Sequence, residues 1–222
     1  MTLKLLHYRW IGVNALGELF GLGLTLGAGF SIIASLDVGG VGGILLVFGV
    51  AVFSGTIETV IVSLLQWWAM HPWFPAISRL RWFLGTLGGA LTAYVLGYLP
   101  STLMDLSQAS APVEQAPVAE PPQWLVLLLA ALLGAVAGAV LSFAQWLAMR
   151  GSVKGAKIWI PANMLAWLFG MPLIFFGMDI ANRGQPLWQS LGIMAGVLLV
   201  TGAVVGAIHG AFLVRLARGV KA

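Results

Sequence analysis

The sequence predicts an all-α membrane protein of six transmembrane helices, arranged as three tandem helical hairpins with both termini cytoplasmic. Three observations carry this. Hydrophobic residues fill 60% of the 222 positions and charged residues only 8%, against about 25% charged in soluble domains. That leaves too little polar surface to coat a water-facing globule. Six apolar runs reach the roughly 20 residues needed to cross a hydrocarbon core. The basic residues, finally, gather on one side of those runs. The same composition excludes an ordinary cytosolic enzyme, a disordered chain and a nucleic-acid-binding domain. The pI near 9.9 reflects only 11 Lys and Arg, not a basic patch. With no cysteine, disulfides, thiol catalysis and Cys-ligated metals are also excluded.

The elements follow in order. The first span, near 10–34, starts behind Lys4 and Arg9. Its basic start and Ala34-Ser35 end would permit a cleaved signal peptide, but we read it as a retained span. Asp37-Val38-Gly39-Gly40 makes a tight connection to the second span, 41–69. The third, 82–104, follows Arg79 and Arg81. Residues 105–123 are rich in Pro, Ala, Ser and Glu (Pro112, Pro117, Pro121, Pro122) and read as a loop unable to build a core. The fourth and fifth spans lie near 124–149 and 158–178, the latter expected to kink or break at Pro161 and Pro172. Asp179-Ile180-Ala181-Asn182-Arg183-Gly184 turns the chain into the sixth span, 187–214. Helices rather than barrel strands follow because the runs are continuous and every backbone amide must bond internally.

Lys4, Arg9, Arg79, Arg81, Arg150, Lys154, Lys157, Arg215, Arg218 and Lys221 fall on the N-terminal side, and only Arg183 on the other. This positive-inside bias puts both termini in the cytoplasm. Asp37, Asp105, Glu114, Glu120 and Asp179 fall outside. The location expected is a bacterial plasma (inner) membrane.

Self-similarity divides this single integral membrane domain into hairpins near 1–71, 79–150 and 154–218. Trp10 with Asn14 and Gly17 repeats as Trp82 with Thr86 and Gly89, and as Trp159 with Asn163 and Ala166. Gly55, Thr59, Ser63 and Gln66-Trp67 match Gly134, Gly138, Ser142 and Gln145-Trp146. The third copy aligns best with Gly202 over Gly134, which sets Arg218 over Arg150 and His71. Repeats of two spans each run parallel, about an axis near the membrane normal. The Gly-x3-Gly-x6-Gln-Trp-Leu-x2-Arg run at 134–150, followed by Trp159, Ala162-Asn163 and Trp167, resembles a family of uncharacterised small bacterial polytopic membrane proteins. Their helical hairpins repeat a Gly-x3-Gly…Gln-Trp…Arg pattern. The resemblance spans most of the chain, although the first copy departs with Thr59 and His71. It implies a fold type and no activity.

Six Gly-x3-Gly pairs, starting at Gly17, Gly23, Gly85, Gly134, Gly192 and Gly202, offer small helix faces, read first as packing within this chain. Trp10, Trp82, Trp159, Trp67, Trp68 and Trp146 at the inner span ends read as an aromatic belt, with Trp124 and Trp188 as its outer counterpart. Asn14, Asn163, Gln66 and Gln145 read as a polar clasp inside each hairpin. A substrate-binding ring is the sharper alternative.

Glu18 and Glu58 are the only acids inside spans. Counted from Trp10 and Trp67, both lie about 12–14 Å into the membrane on adjacent helices. Two close carboxylates in low dielectric cannot both stay ionised, so a proton is shared or a cation neutralises them. His209 is the only intramembrane base, and a Glu–Glu–His cluster could relay a proton, bind a cation or offer His209 as an axial ligand to a porphyrin metal. The simpler alternative is a protonated Glu bonded to a carbonyl or to the Trp167 indole. No catalytic motif is present and a lone His falls short of a metal site, so no catalytic and no metal residue is assigned.

Two functions remain. The first is a non-enzymatic subunit packing within a larger membrane complex, with bound lipid or pigment compatible. The partners expected are membrane lipids and other membrane subunits, not nucleic acid. The second is a small proton- or cation-linked transporter, or a substrate-binding membrane component, using the Glu pair. The cofactor, if there is one, is unknown.

Overall fold

The computed structural model describes residues 2–36, 39–109 and 121–220, the side chain of Val220 excepted. Asp37, Val38, Glu114, Glu120, Lys221 and most of the proline-rich segment therefore lie outside the described residues. Within them the chain is all-helical, with six helices long and apolar enough to cross a membrane. They are α1 (Leu3–Ser35), α2 (Gly40–Met70), α3 (Arg79–Ala109), α4 (Gln123–Met149), α5 (Trp159–Ala181) and α6 (Leu187–Val220).

Local chemistry sets the ends. Thr2 caps α1 by accepting the Leu5 amide at 3.3 Å, so the helix begins well before its apolar run. Gly155 (φ +76°) admits the left-handed turn that leads into the short 3₁₀ stretch Ala156–Ile158 ahead of α5. Pro161 sits in the first turn of α5, where its missing N–H would have been unpaired anyway. Pro172 lies inside the helix, which runs on without a break.

The segment 105–123 differs from its expectation. α3 continues through Asp105 to Ala109. Along this end, Ser101 and Thr102 each donate to the Tyr98 carbonyl and Ser107 to that of Met104.

Each helix packs on the next in sequence, and α6 packs on α1 and closes the ring. Glycines make most of these seams. Gly85 and Gly89 lie on Ala144 and Leu141, Gly134 and Gly138 on Trp167 and Asn163, and Gly202, Gly206 and Gly210 on the Trp10–Ala15 stretch of α1. Gly27, Gly192 and Gly196 face open space instead.

The hydrophobic core sits at one end of the ring. Trp10, Trp82 and Trp159 converge there, fully buried. Trp159 meets Trp10 edge-on at 5.8 Å and Trp82 at 6.2 Å. Trp73, Phe74 and Ile77 from one connection and Val153 and Ala156 from another cover them. These three indoles are thus not belt residues: close glycine seams draw the first turns together and aim them inward. Trp68, Trp124 and Trp188 remain exposed, and Trp67 and Trp146 are half-buried.

Candidate functional site

Directly above the three tryptophans lies a polar layer in which side chains bond across helices. Trp159 Nε1 donates to Gln145 Oε1 at 2.8 Å, and Gln145 Nε2 donates to Thr86 Oγ1 at 3.1 Å. Gln66 Nε2 donates to Asn14 Oδ1 at 2.8 Å. Trp10 Nε1 donates to His209 Nδ1 at 2.7 Å. Asn14 and Asn163 each donate back to the carbonyl of the tryptophan one turn earlier. Gln66 therefore clasps Asn14 within the first hairpin, whereas Gln145 bridges three helices. For Asn163 the bond found is to its own helix. Each such contact between membrane helices is worth about 0.6–2 kcal/mol.

Two atoms of this layer have no partner. Trp82 Nε1 and Gln66 Oε1 are both buried and unbonded, although the other two indoles each find an acceptor.

A cavity of about 30 Å³ opens on this layer, enough for two waters or so at roughly 10–15 Å³ each. Asn14, Gln66, Gln145, Asn163 and His209 face it from below, and Glu18 and Glu58 close it from above. The structure thus brings the three expected ionisable groups to one cavity. They do not form a metal centre. Among the described residues no three His, Asp or Glu side chains sit where they could hold an ion.

His209 does not fit an axial ligand either. It is 2% exposed, and its Nδ1 accepts the Trp10 indole, so the neutral ring carries its proton on Nε2. A metal on Nε2 would move that proton to Nδ1, against the indole N–H. The adjoining space is also far below the size of a macrocycle.

Glu18 is 2% exposed, and its Oε2 has no hydrogen-bond partner. It opens a π-helical segment, Glu18–Leu22, in which the Gly23 amide reaches back five residues to the Glu18 carbonyl. Such bulges recur at functional sites. Glu58 is half-buried and its Oε2 accepts a hydrogen bond from the Tyr94 hydroxyl. Its backbone amide also donates to Thr25 Oγ1 at 3.0 Å. Gly21 and Gly55 make the room: one lies against the Glu58 backbone, the other against the Tyr94 ring.

Tyr94, Tyr98 and Thr25 were not among the expected site residues. Tyr94 and Tyr98 stack at 6.1 Å, one turn apart on α3. Only three tyrosines occur in the chain, and these two lie within a span, which was the available signal. Counting from Trp82 puts Tyr94 about 18 Å along α3, near the level of Glu58.

No family model, curated protein or solved structure matches this chain.

Proposed function

We propose that this chain is a proton-binding multi-pass protein of a bacterial plasma membrane. It acts as a small proton-linked transporter, or as the membrane component of one, and not as an enzyme. One observation carries the reading. Glu18 is a buried carboxyl with an unpartnered oxygen, beside a water-sized cavity that it shares with Glu58.

The size of the cavity favours a proton over an organic solute. A cation is disfavoured because no third ligand converges. Hydrogen bonding then divides the roles. Tyr94 donates to Glu58, which suits an ionised acceptor, while Glu18 has no donor to hold a charge. Glu18 therefore carries the proton in this conformation and Glu58 awaits it. The π segment that Glu18 opens gives α1 a local register able to respond to that exchange.

In this reading both termini face the cytoplasm, supported by the ten-to-one segregation of basic residues. The hairpin repeat is supported by recurring contacts. Gly138 abuts the Asn163 carbonyl as Gly202 abuts that of Asn14, and Trp159 meets Gln145 as Trp10 meets His209. These contacts favour a register with Gly202 over Gly138 and His209 over Gln145, one turn from the Gly202-over-Gly134 alignment.

The test is infrared spectroscopy of the reconstituted protein. A carbonyl-stretch band from a protonated buried carboxyl is expected in the wild type and absent in Glu18→Gln. In liposomes, proton uptake should be lost in Glu58→Gln. An unchanged band in a Glu18→Gln/Glu58→Gln double variant sinks the reading.

A second reading, an accessory subunit of a larger complex, is favoured by Gly192 and Gly196. They lie open beside exposed Trp188 on the outer half of α6, where a partner helix could approach closely. A monomer that brings no other chain from native membranes overturns it.

A further inference from the structure

We infer that the groove between α2 and α3 binds one anionic phospholipid, its acyl chain against the groove wall and its phosphate on Arg79. The groove is open and shallow, about 420 Å³, and is lined by Val60 and Leu64 of α2 and by Leu80 and Phe83 of α3, with Arg79 as its one charged residue. The inference goes beyond the acid pair and does not depend on it.

The wall selects a hydrocarbon. Its four other lining side chains are apolar, and they run outward from the end of α2 near Trp67. Val60 lies seven residues from Trp67, about 10 Å along the helix. Val60 and Leu64 are four residues apart, about 6 Å along α2, so the wall takes part of one acyl chain.

Arg79 supplies the charge. It is the first residue of α3 and exposed. The one ion pair among the described residues is Arg183–Asp179, so no carboxylate competes for its guanidinium. The Trp67 ring holds that guanidinium near the groove, 5.8 Å from the ring centroid. Trp67 is fixed in turn by donating to the Ile77 carbonyl at 3.1 Å. A planar guanidinium held at an interface is matched to a lipid phosphate. Phosphatidylcholine also has a phosphate, but its choline cation would sit beside the arginine, so net-anionic headgroups are preferred.

The experiment is native mass spectrometry of the whole chain released from vesicles of equal phosphatidylglycerol and phosphatidylcholine. Retention of phosphatidylglycerol should exceed that of phosphatidylcholine by about fivefold, the ratio expected for one interfacial cation. Arg79→Ala should abolish the preference, and Arg79→Lys, which keeps the charge but loses the planar guanidinium, should keep only part of it. Leu64→Trp, which fills the groove, should lower retention of both lipids. Arg81→Ala, two residues away and equally exposed, should change nothing. Equal retention of the two lipids by the wild type overturns the inference. So does a preference that survives Arg79→Ala, or one that Arg81→Ala lowers as much. If Leu64→Trp does not fold, Val60→Phe asks the same question from the far end of the groove.

Discussion

Gly202→Ala isolates the seam that closes the ring. A Cβ at position 202 would lie 2.4 Å from the Asn14 carbonyl oxygen and 2.7 Å from Ala15 Cα. Both are backbone atoms, so no rotamer change relieves the clash. Restoring ordinary contact beyond 3.4 Å requires α6 to retreat from α1 by about 1 Å. Overpacking of this kind costs roughly 1–3 kcal/mol. The same retreat pulls His209 from Trp10, whose bond is 2.7 Å long, and adds about 1 kcal/mol. The expected loss is roughly 2–4 kcal/mol. Gly192→Ala on the same helix meets nothing within 4 Å. It should be neutral, or stabilising by up to about 1 kcal/mol through helix propensity. Reversible denaturation in mixed detergent micelles, followed by circular dichroism, measures both. Equal stability of the two variants would refute the claim that glycine seams within this chain hold the ring together.

Four further outcomes are expected. His209→Gln should stay within about 1 kcal/mol of the wild type because a glutamine already accepts the Trp159 indole from the preceding hairpin; His209→Leu should lose roughly 1–3 kcal/mol by orphaning the Trp10 N–H, both read by detergent denaturation. Gly55→Ala places a Cβ 2.6 Å from the Tyr94 ring, so it should break the bond to Glu58 and shift the part of the tyrosine ring bands in ultraviolet Raman spectra that Tyr94→Phe removes. Tyr94→Phe should also slow or abolish proton uptake into liposomes while leaving the fold's circular dichroism intact. Because the chain has no cysteine, Ser152→Cys and Gln185→Cys should react with a membrane-impermeant maleimide from opposite sides, Ser152→Cys only after the inner face is opened.

The helices were legible because hydrocarbon imposes one simple rule, and six long apolar runs satisfy it. Their ends were less so. Hydropathy alone stops α3 near residue 104, but the helix runs on to Ala109, where Ser101, Thr102 and Ser107 bond its own carbonyls. The tryptophans show a second limit. An indole at an inner helix end has the same sequence signature whether it faces lipid headgroups or the bundle axis. The choice between them is made by the glycine on the neighbouring helix, such as Gly210 against Trp10, and so by a pairing of helices that periodicity does not specify.

The site divides along the same line. Glu18, Glu58 and His209 stood out in the sequence because charge is costly in a span, and cost can be counted residue by residue. Which of them holds the proton depends on donors from elsewhere. Tyr94 reaches Glu58 from another helix, across a gap that exists because Gly55 has no side chain. The π segment Glu18–Leu22 likewise lies where Gly17 and Gly21 pack on Val62 and Glu58 of α2, a helix pairing that the local sequence does not specify. An intramembrane acid in isolation is ambiguous between a buried, bonded group and a working one. The observation behind the proposed working role is asymmetry: one carboxyl has a phenol donor, its neighbour has none, and a cavity of water size lies beside both. A purely structural pair would gain by satisfying both. An ionised Glu18 with Oε2 unbonded would be costly, and that cost supports the proposal that Glu18 carries a proton.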